Sequence, residues 1–469
     1  MTLRIARREI LDMTRDGRFR AAVAVIGVLV LSALAAGWLH TRMVRAEHAA
    51  ASAVQRDLWL GKGEMNPHSA AHYGAFAFKP VSEVAAIDPG LEPFVGVSVF
   101  LEAHRQNLDK FRPVEDATPL KRLGDLTVAS TLQLLVPLFI IALTFGAFAG
   151  EREQGTLRQL LATGVEGRAL LAGKLIGLST PVALVGGLAA VGGVAALALL
   201  GGDSGLQSLP RALALIGVYL VYFALWLAVG LAVSALAPSS RVALTLLLAA
   251  WFLNGFLAPR GAATLARALH PTPTPQELQR AIDADLEKLT PWDALVKETR
   301  ETLMAEHKVT RPEDLPTNPE GLALIRGEEA DTAVYERQYG RLAAIYGQQA
   351  GVFQWGGVVA PLLAVQAASM ALAGTDYAHH QDFLHAAEQY RSTYVRTLND
   401  AVAGQRNLTQ TWDFQAGRDL WDDVPPFAYT LPGTTWALQG VRVALLLLGL
   451  WTLAAVGSAA WATARLRVD

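Results

Sequence analysis

An uncharged run at residues 128–149 ends directly in Glu151-Arg-Glu-Gln-Gly-Thr-Leu-Arg-Gln-Leu-Leu-Ala162, and this junction decides the fold. The run exceeds the roughly 20 residues a helix needs to cross a bilayer. Leu157, Leu160 and Leu161 then fall at i, i+3 and i+4, which predicts a short amphipathic helix. Glu151, Glu153, Arg158 and Gln159 occupy its other face, and Lys174 stands just before the next apolar run. A charged amphipathic connector between two spanning helices gives a partner protein a lever on both.

Working outward, five further runs read as spans. The predicted spans are 21–42, 127–149, 169–200, 211–237, 241–259 and 441–464, the fifth being the shortest. Composition agrees: of 469 residues, 52% are hydrophobic and 17% charged, which fits a membrane protein with large water-exposed parts. The net charge of −2 gives no support to nucleic-acid binding. There is no cysteine, so neither a disulfide nor a thiolate site is available. The first apolar run is a full span in length and lacks a clear small-x-small cleavage pattern. It is expected to stay as a transmembrane helix rather than be cleaved as a signal.

Arginine and lysine orient the spans. Arg4, Arg7, Arg8, Arg15, Arg18 and Arg20 precede the first, and Arg152, Arg158, Arg168 and Lys174 lie between the second and third. Arg241 sits in the turn before the fifth, Arg465 and Arg467 follow the sixth, and the loop at 201–210 has none. The short-loop bias places both termini and the 150–168 connector in the cytoplasm. Two long insertions, 43–126 and 260–440, then lie outside. A further uncharged run at 352–373 contains Gln354, Gly356, Gly357, Pro361, Gln366 and Ser369, too polar and broken for a lipid-facing helix. It is read as a buried or interfacial element of the outer domain.

Residues 1–20 alternate Leu3, Ile5, Ile10 and Met13 with charges, the pattern of an amphipathic helix lying in the headgroup plane. Small residues recur at helical spacing at Ala142, Gly146 and Gly150 and again at Gly173 and Gly177, which lets helices approach closely. Gln133 and Asn254 are the main polar insertions in the spans. The lack of intramembrane acids and histidines argues against an ion-coupled carrier.

The pattern Glu151, Glu153, Gly155, Thr156, Leu157, Leu160, Leu161, followed by Gly173 and Lys174, resembles the coupling region of ABC-2 class transporter permeases. With its long insertions, the whole chain resembles a bacterial subfamily of these permeases whose enlarged outer region is a domain of unknown function. The resemblance implies an all-α membrane protein: six transmembrane helices, an N-terminal elbow helix, a cytoplasmic coupling helix and a mainly helical periplasmic domain from the two insertions. It implies a bacterial inner-membrane permease, an exporter, with Glu151, Glu153, Gly155, Thr156, Leu157, Leu160, Leu161 and Lys174 in ATPase coupling. ATP and Mg would be bound by a partner ATPase dimer. A second permease chain, the same or related, membrane lipid and a periplasmic partner complete the implied set. The alternative is a mechanotransmission permease that acts on an outer partner and moves nothing through itself. No phosphate-binding G-x-x-x-x-G-K-[ST], G-x-S-x-G or H-E-x-x-H motif occurs, so the chain is not expected to be an enzyme.

Nine of the ten histidines fall in or near the outer segments. His68 and His72 stand four apart, and His379, His380 and His385 cluster near Asp382 and Glu388. Such spacing permits Zn²⁺ or Cu²⁺ binding. Each local helix face offers at most two ligands, so these histidines are expected to be structural and the chain to need no metal or other cofactor. The topology predicts that reporter fusions at Glu64 and Glu329 both read outside. A fusion at Glu388 reading inside would make 352–373 a seventh span.

Overall fold

The computed structural model describes residues 1–117, 126–201, 207–405 and 411–466. Parts of the loops expected at 43–126, 201–210 and 260–440, and the tail residue Arg467, lie outside that set. Among the described residues six helices are long and apolar enough to cross a membrane. They are Phe19–Leu60, Val128–Glu153, Gly167–Leu200, Leu209–Leu236, Ser240–Leu269 and Arg442–Ala464.

Two spans outrun their sequence-based limits. The first belongs to a continuous helix, Gly17–Leu60, of 44 residues. At 1.5 Å per residue it is about 66 Å long, roughly twice the apolar thickness of a bilayer. Residues 43–60 hold no glycine or proline, so nothing stops the helix until the turn at Gly61 and Gly63, where Gly63 takes φ +73. The fifth span runs to Leu269 instead of 259. Pro259 would clash with the preceding turn of a regular helix. A π-turn at Leu253–Leu257 opens the helix just before it, and Pro259 lands in the first turn of the following helical segment. The second span repeats the device, with a π-turn at Thr131–Leu135 before Pro137.

The fourth span is the hub, with 16 buried residues, and packs on the sixth span, the second span and the helix Pro361–Ala373. That last helix belongs to the run at 352–373. The run is not one span-length helix: it is divided between the end of Pro319–Trp355, a 3₁₀ turn at Gly356–Val358 and a 13-residue helix buried on nearly all sides.

The inserted domain is mainly helical, but it holds a small sheet that the helical reading of the insertions did not foresee. Strands β1 (Ala75–Phe78), β2 (Ser98–Glu102) and β3 (Arg105–Gln106) form an antiparallel sheet in the order β1-β2-β3. Ala77 pairs with Val99 and Glu102 with Arg105. The alternation Ser98-Val-Phe-Leu-Glu102 suits a strand buried on one face. The sheet packs on the helix Tyr377–Ala403 from the second insertion. A second core forms there from Trp59, Val99, Leu101, Phe383, Tyr394, Leu398 and Trp421. Trp59 comes from the overlong first helix; its indole donates to the Trp421 carbonyl and its ring meets Tyr394 and Trp421 edge-on.

Arg391 joins the two insertions. It is 1% exposed. Its guanidinium pairs with Glu328 and Glu388 and donates to the Glu102 carbonyl and to Thr332 Oγ1. One side chain thus ties helix 319–355, helix 377–403 and β2. Burial pushes the Glu388 carboxyl up against the pull of these hydrogen bonds, whereas the carboxylates outweigh burial at Arg391 and hold it charged. Removing one partner of a buried ion pair strands the other charges. Arg391→Met is therefore expected to destabilise the inserted domain by about 3–5 kcal/mol, measured as a lowered unfolding midpoint of the detergent-solubilised chain.

Candidate functional site

The 150–168 connector is two short helices, Ala149–Glu153 and Thr156–Ala162, hinged at Gly155. Gly155 has φ +73, a conformation in which any side chain is strained, and open space where a Cβ would point. Thr156 Oγ1 donates to the Glu151 carbonyl and closes the end of the first helix. Leu157 is buried, Leu160 and Leu161 are half-buried against the main core, and Gln154, Arg158 and Gln159 are exposed.

The connector is anchored to every neighbour. Arg152 donates to the Ala235 and Ala237 carbonyls at the end of the fourth span. Glu153 accepts from the Ser240 N–H and hydroxyl at the start of the fifth, at 2.9 and 2.7 Å. At residues 145–148 the second span is broken, and Ser234 Oγ accepts from the Phe148 and Ala149 N–H groups and donates to the Phe145 carbonyl. Lys174 is 2% exposed and lies between Glu9 and Glu151, at 2.6 and 2.8 Å. Of the residues assigned to ATPase coupling, Glu151, Glu153 and Lys174 thus have partners inside the chain. The outward surface includes Gln154, Arg158 and Gln159, and Glu153 stays exposed beside Ser240.

Glu9 belongs to the N-terminal helix, Thr2–Arg15, which lies along the third span. The small residues seen in sequence explain the contact. A Cβ on Gly173 would meet Ile5 Cβ at 2.6 Å, and one on Gly177 would meet Glu9 Cβ at 2.6 Å. These glycines receive the N-terminal helix and bring Glu9 to Lys174.

Near the inserted domain the polar residues of the spans are linked in one network. Gln133 and Asn254 each lie in a π-turn. Gln133 Nε2 donates to Tyr219 OH, which bonds Ser369 Oγ, and Ser369 donates to Asp88. Tyr222 OH donates to the Gln133 carbonyl and accepts from Asn254 Nδ2, while Asn254 Oδ1 accepts from the Leu362 N–H.

The histidines separate into two groups. His379, His380 and His385 diverge: His379 faces Asp376 and Arg211, His380 lies 3.5 Å from Asp109, and exposed His385 bonds Gln389. His68 and His72 do converge, on the helix Pro67–His72, and a third imidazole joins them. His104 was not singled out from sequence; it sits in the β2–β3 turn at φ 60, and the strand-like alternation before it was the available signal. His68 Nε2 is 3.1 Å from His72 Nε2 and 3.3 Å from His104 Nε2. Burial pushes the His68 imidazole down to about 4, against the pull of Asn399. At His104 burial lowers the value, but Asp331 and Glu328 outweigh it and raise the imidazole.

Residues 276–430 match the family described as Domain of unknown function (DUF3526), about a third of the chain and nearly all of the second insertion. No curated protein matches the chain. Together with six apolar helices, this defines a multi-pass membrane protein carrying a DUF3526 domain.

Asp109 carries the clearest pH dependence. Burial alone would raise its carboxyl; His380, the Gly96 N–H and Arg112 outweigh it and hold it at about 2. A lowered carboxylate stabilises the fold above its unfolded value of about 3.9 and loses that contribution as pH falls through the folded value. Wild type should therefore lose on the order of 2 kcal/mol between about pH 4 and pH 2, and Asp109→Asn should remove this step from the pH profile of the unfolding midpoint.

Proposed function

We propose that this chain is the transmembrane subunit of an ATP-driven transporter of the ABC-2 type, acting as an exporter in a bacterial inner membrane. A separate ATPase pair binds ATP and Mg, and a second permease chain, the same or related, completes the assembly. The connector carries the reading. It continues from the second span, is bonded to the third, fourth and fifth, and presents Glu153, Gln154, Arg158 and Gln159 outward. A push on those side chains passes through Arg152, Glu153 and the Glu151–Lys174 pair into four helices, with no flexible link except Gly155. In this reading both termini and the connector are cytoplasmic, and the inserted domain is periplasmic, where it gates or receives cargo.

One observation favours the second reading, mechanotransmission to an outer partner. Gln133, Tyr219, Tyr222 and Asn254 are bonded to one another and to Ser369, Asp88 and Leu362, so they link the spans to the inserted domain instead of lining a path. The two π-turns at this junction suit a movable joint. Cargo flux in vesicles separates the readings, since mechanotransmission moves none.

The ATPase is expected to be encoded beside this chain. Coexpressed, the two should copurify, and the permease should stimulate ATP hydrolysis. Arg158→Glu reverses an exposed charge and is expected to weaken docking about tenfold, the effect of roughly 1.4 kcal/mol at an interface. Gly155→Trp should abolish the stimulation while leaving membrane insertion intact. Unchanged stimulation in both variants would remove the connector from this role.

A further inference from the structure

We propose that His68, His72 and His104 form a three-histidine site for a divalent zinc-type cation, with its fourth position open to solvent. The inference is independent of the transport reading. Nitrogen ligands of tetrahedral Zn²⁺ bind at about 2.0–2.1 Å, which sets ligand atoms about 3.3 Å apart. The measured separations from His68 Nε2 are 3.1 and 3.3 Å, and all three histidines have ligand atoms within 4.8 Å of one another.

Hydrogen bonding fixes which nitrogens are free. His68 Nδ1 lies 2.8 Å from Asn399 Oδ1, an acceptor, so Nδ1 carries the proton and Nε2 keeps its lone pair. His104 Nδ1 lies 2.9 Å from Asp331 Oδ2 and 3.4 Å from Glu328 Oε2, again acceptors. In the neutral imidazole its Nε2 also keeps a lone pair, which then opposes that of His68. A cation between them removes the conflict. An Nδ1–H bonded to an amide or carboxylate oxygen is also the usual support behind a ligating histidine.

The carboxylates support the ligands and are not the ligands themselves. Glu328, His104 and Asp331 form a second close group, but Glu328 Oε1 is held by Arg391 and Oε2 accepts the His104 N–H at 2.7 Å. That last bond also holds His104 in its left-handed backbone conformation. Asn66 caps the His68 helix and is itself bonded to the Thr411 and Phe414 carbonyls. Trp412 packs against the His68 ring. The ligands thus come from two segments of the first insertion and are set by three segments of the second. His68 is buried and His72 exposed, which leaves one side open for water or an incoming ligand.

The test uses the full chain, purified in detergent, stripped with chelator and titrated with Zn²⁺ alone by calorimetry and metal analysis. About one Zn²⁺ per chain is expected, with His72→Ala and His104→Ala each weakening binding by about 100-fold or more and Asp331→Asn by about tenfold. His385→Ala, on exposed His385 of the second histidine group, should bind as wild type does. Cu²⁺ competing for the same histidines supports the site. A tetrahedral Co²⁺ absorption spectrum from the wild-type chain supports it without relying on how well a variant folds. No saturable binding by the folded wild-type chain overturns the proposal. So does binding that survives both His72→Ala and His104→Ala. In either case the cluster is a hydrogen-bonded histidine group.

Discussion

A single buried guanidinium organises the inserted domain. Arg391 is nearly inaccessible and pairs with Glu328 and Glu388 on two helices and with the Glu102 carbonyl on the sheet. All three charges belong to the second insertion, and the first adds the Glu102 carbonyl. A buried charge without partners costs several kcal/mol, so the ion pairs lock helix 319–355 to helix 377–403, and the bond to the Glu102 carbonyl seats the sheet on that pair. Glu328 then extends the arrangement to the β2–β3 turn through the His104 N–H. The same ion pair that closes the domain thus places the third histidine beside His68 and His72.

At the opposite end the constraint is steric before it is electrostatic. Gly173 and Gly177 leave no side chain between the third span and the N-terminal helix, and the helix enters that space. Glu9 is thereby brought to Lys174, which also holds Glu151. Lys174 is buried with one acid from each of two separate segments and so ties the N-terminal helix and the connector to the third span. In the transport reading proposed above, force from the ATPase enters at this connector.

Between the two ends, π-turns reconcile prolines with continuous helices. Each leaves a local irregularity, and each holds a polar residue, Gln133 or Asn254. Their side chains find partners on Tyr219 and Tyr222 of the fourth span and on the base of the inserted domain. In an apolar surrounding such groups must be satisfied internally. That need couples the spans to the domain above them.

Much of the membrane part was legible in the chain, because a span announces itself by an uninterrupted apolar run. The amphipathic stretch after residue 150 was legible from leucine spacing, and the break in 352–373 from Gly356, Gly357 and Pro361. The full lengths of the first and fifth helices were not, since charges that end a span do not end a helix. Partners were not legible either. Glu151 and Lys174 look like an exposed charged face in sequence, but tertiary packing turns them to each other and to Glu9, whereas Glu153 stays exposed beside Ser240. His379, His380 and His385 are close in sequence yet face different ways, because neighbours on a helix point in different directions. His104 lies 32 residues from His72, and only the hairpin, held by Glu328 from the other insertion, brings it within reach. Local pattern by itself determined which segments are helical and apolar; side-chain convergence depends on long-range docking, which only the tertiary structure decided.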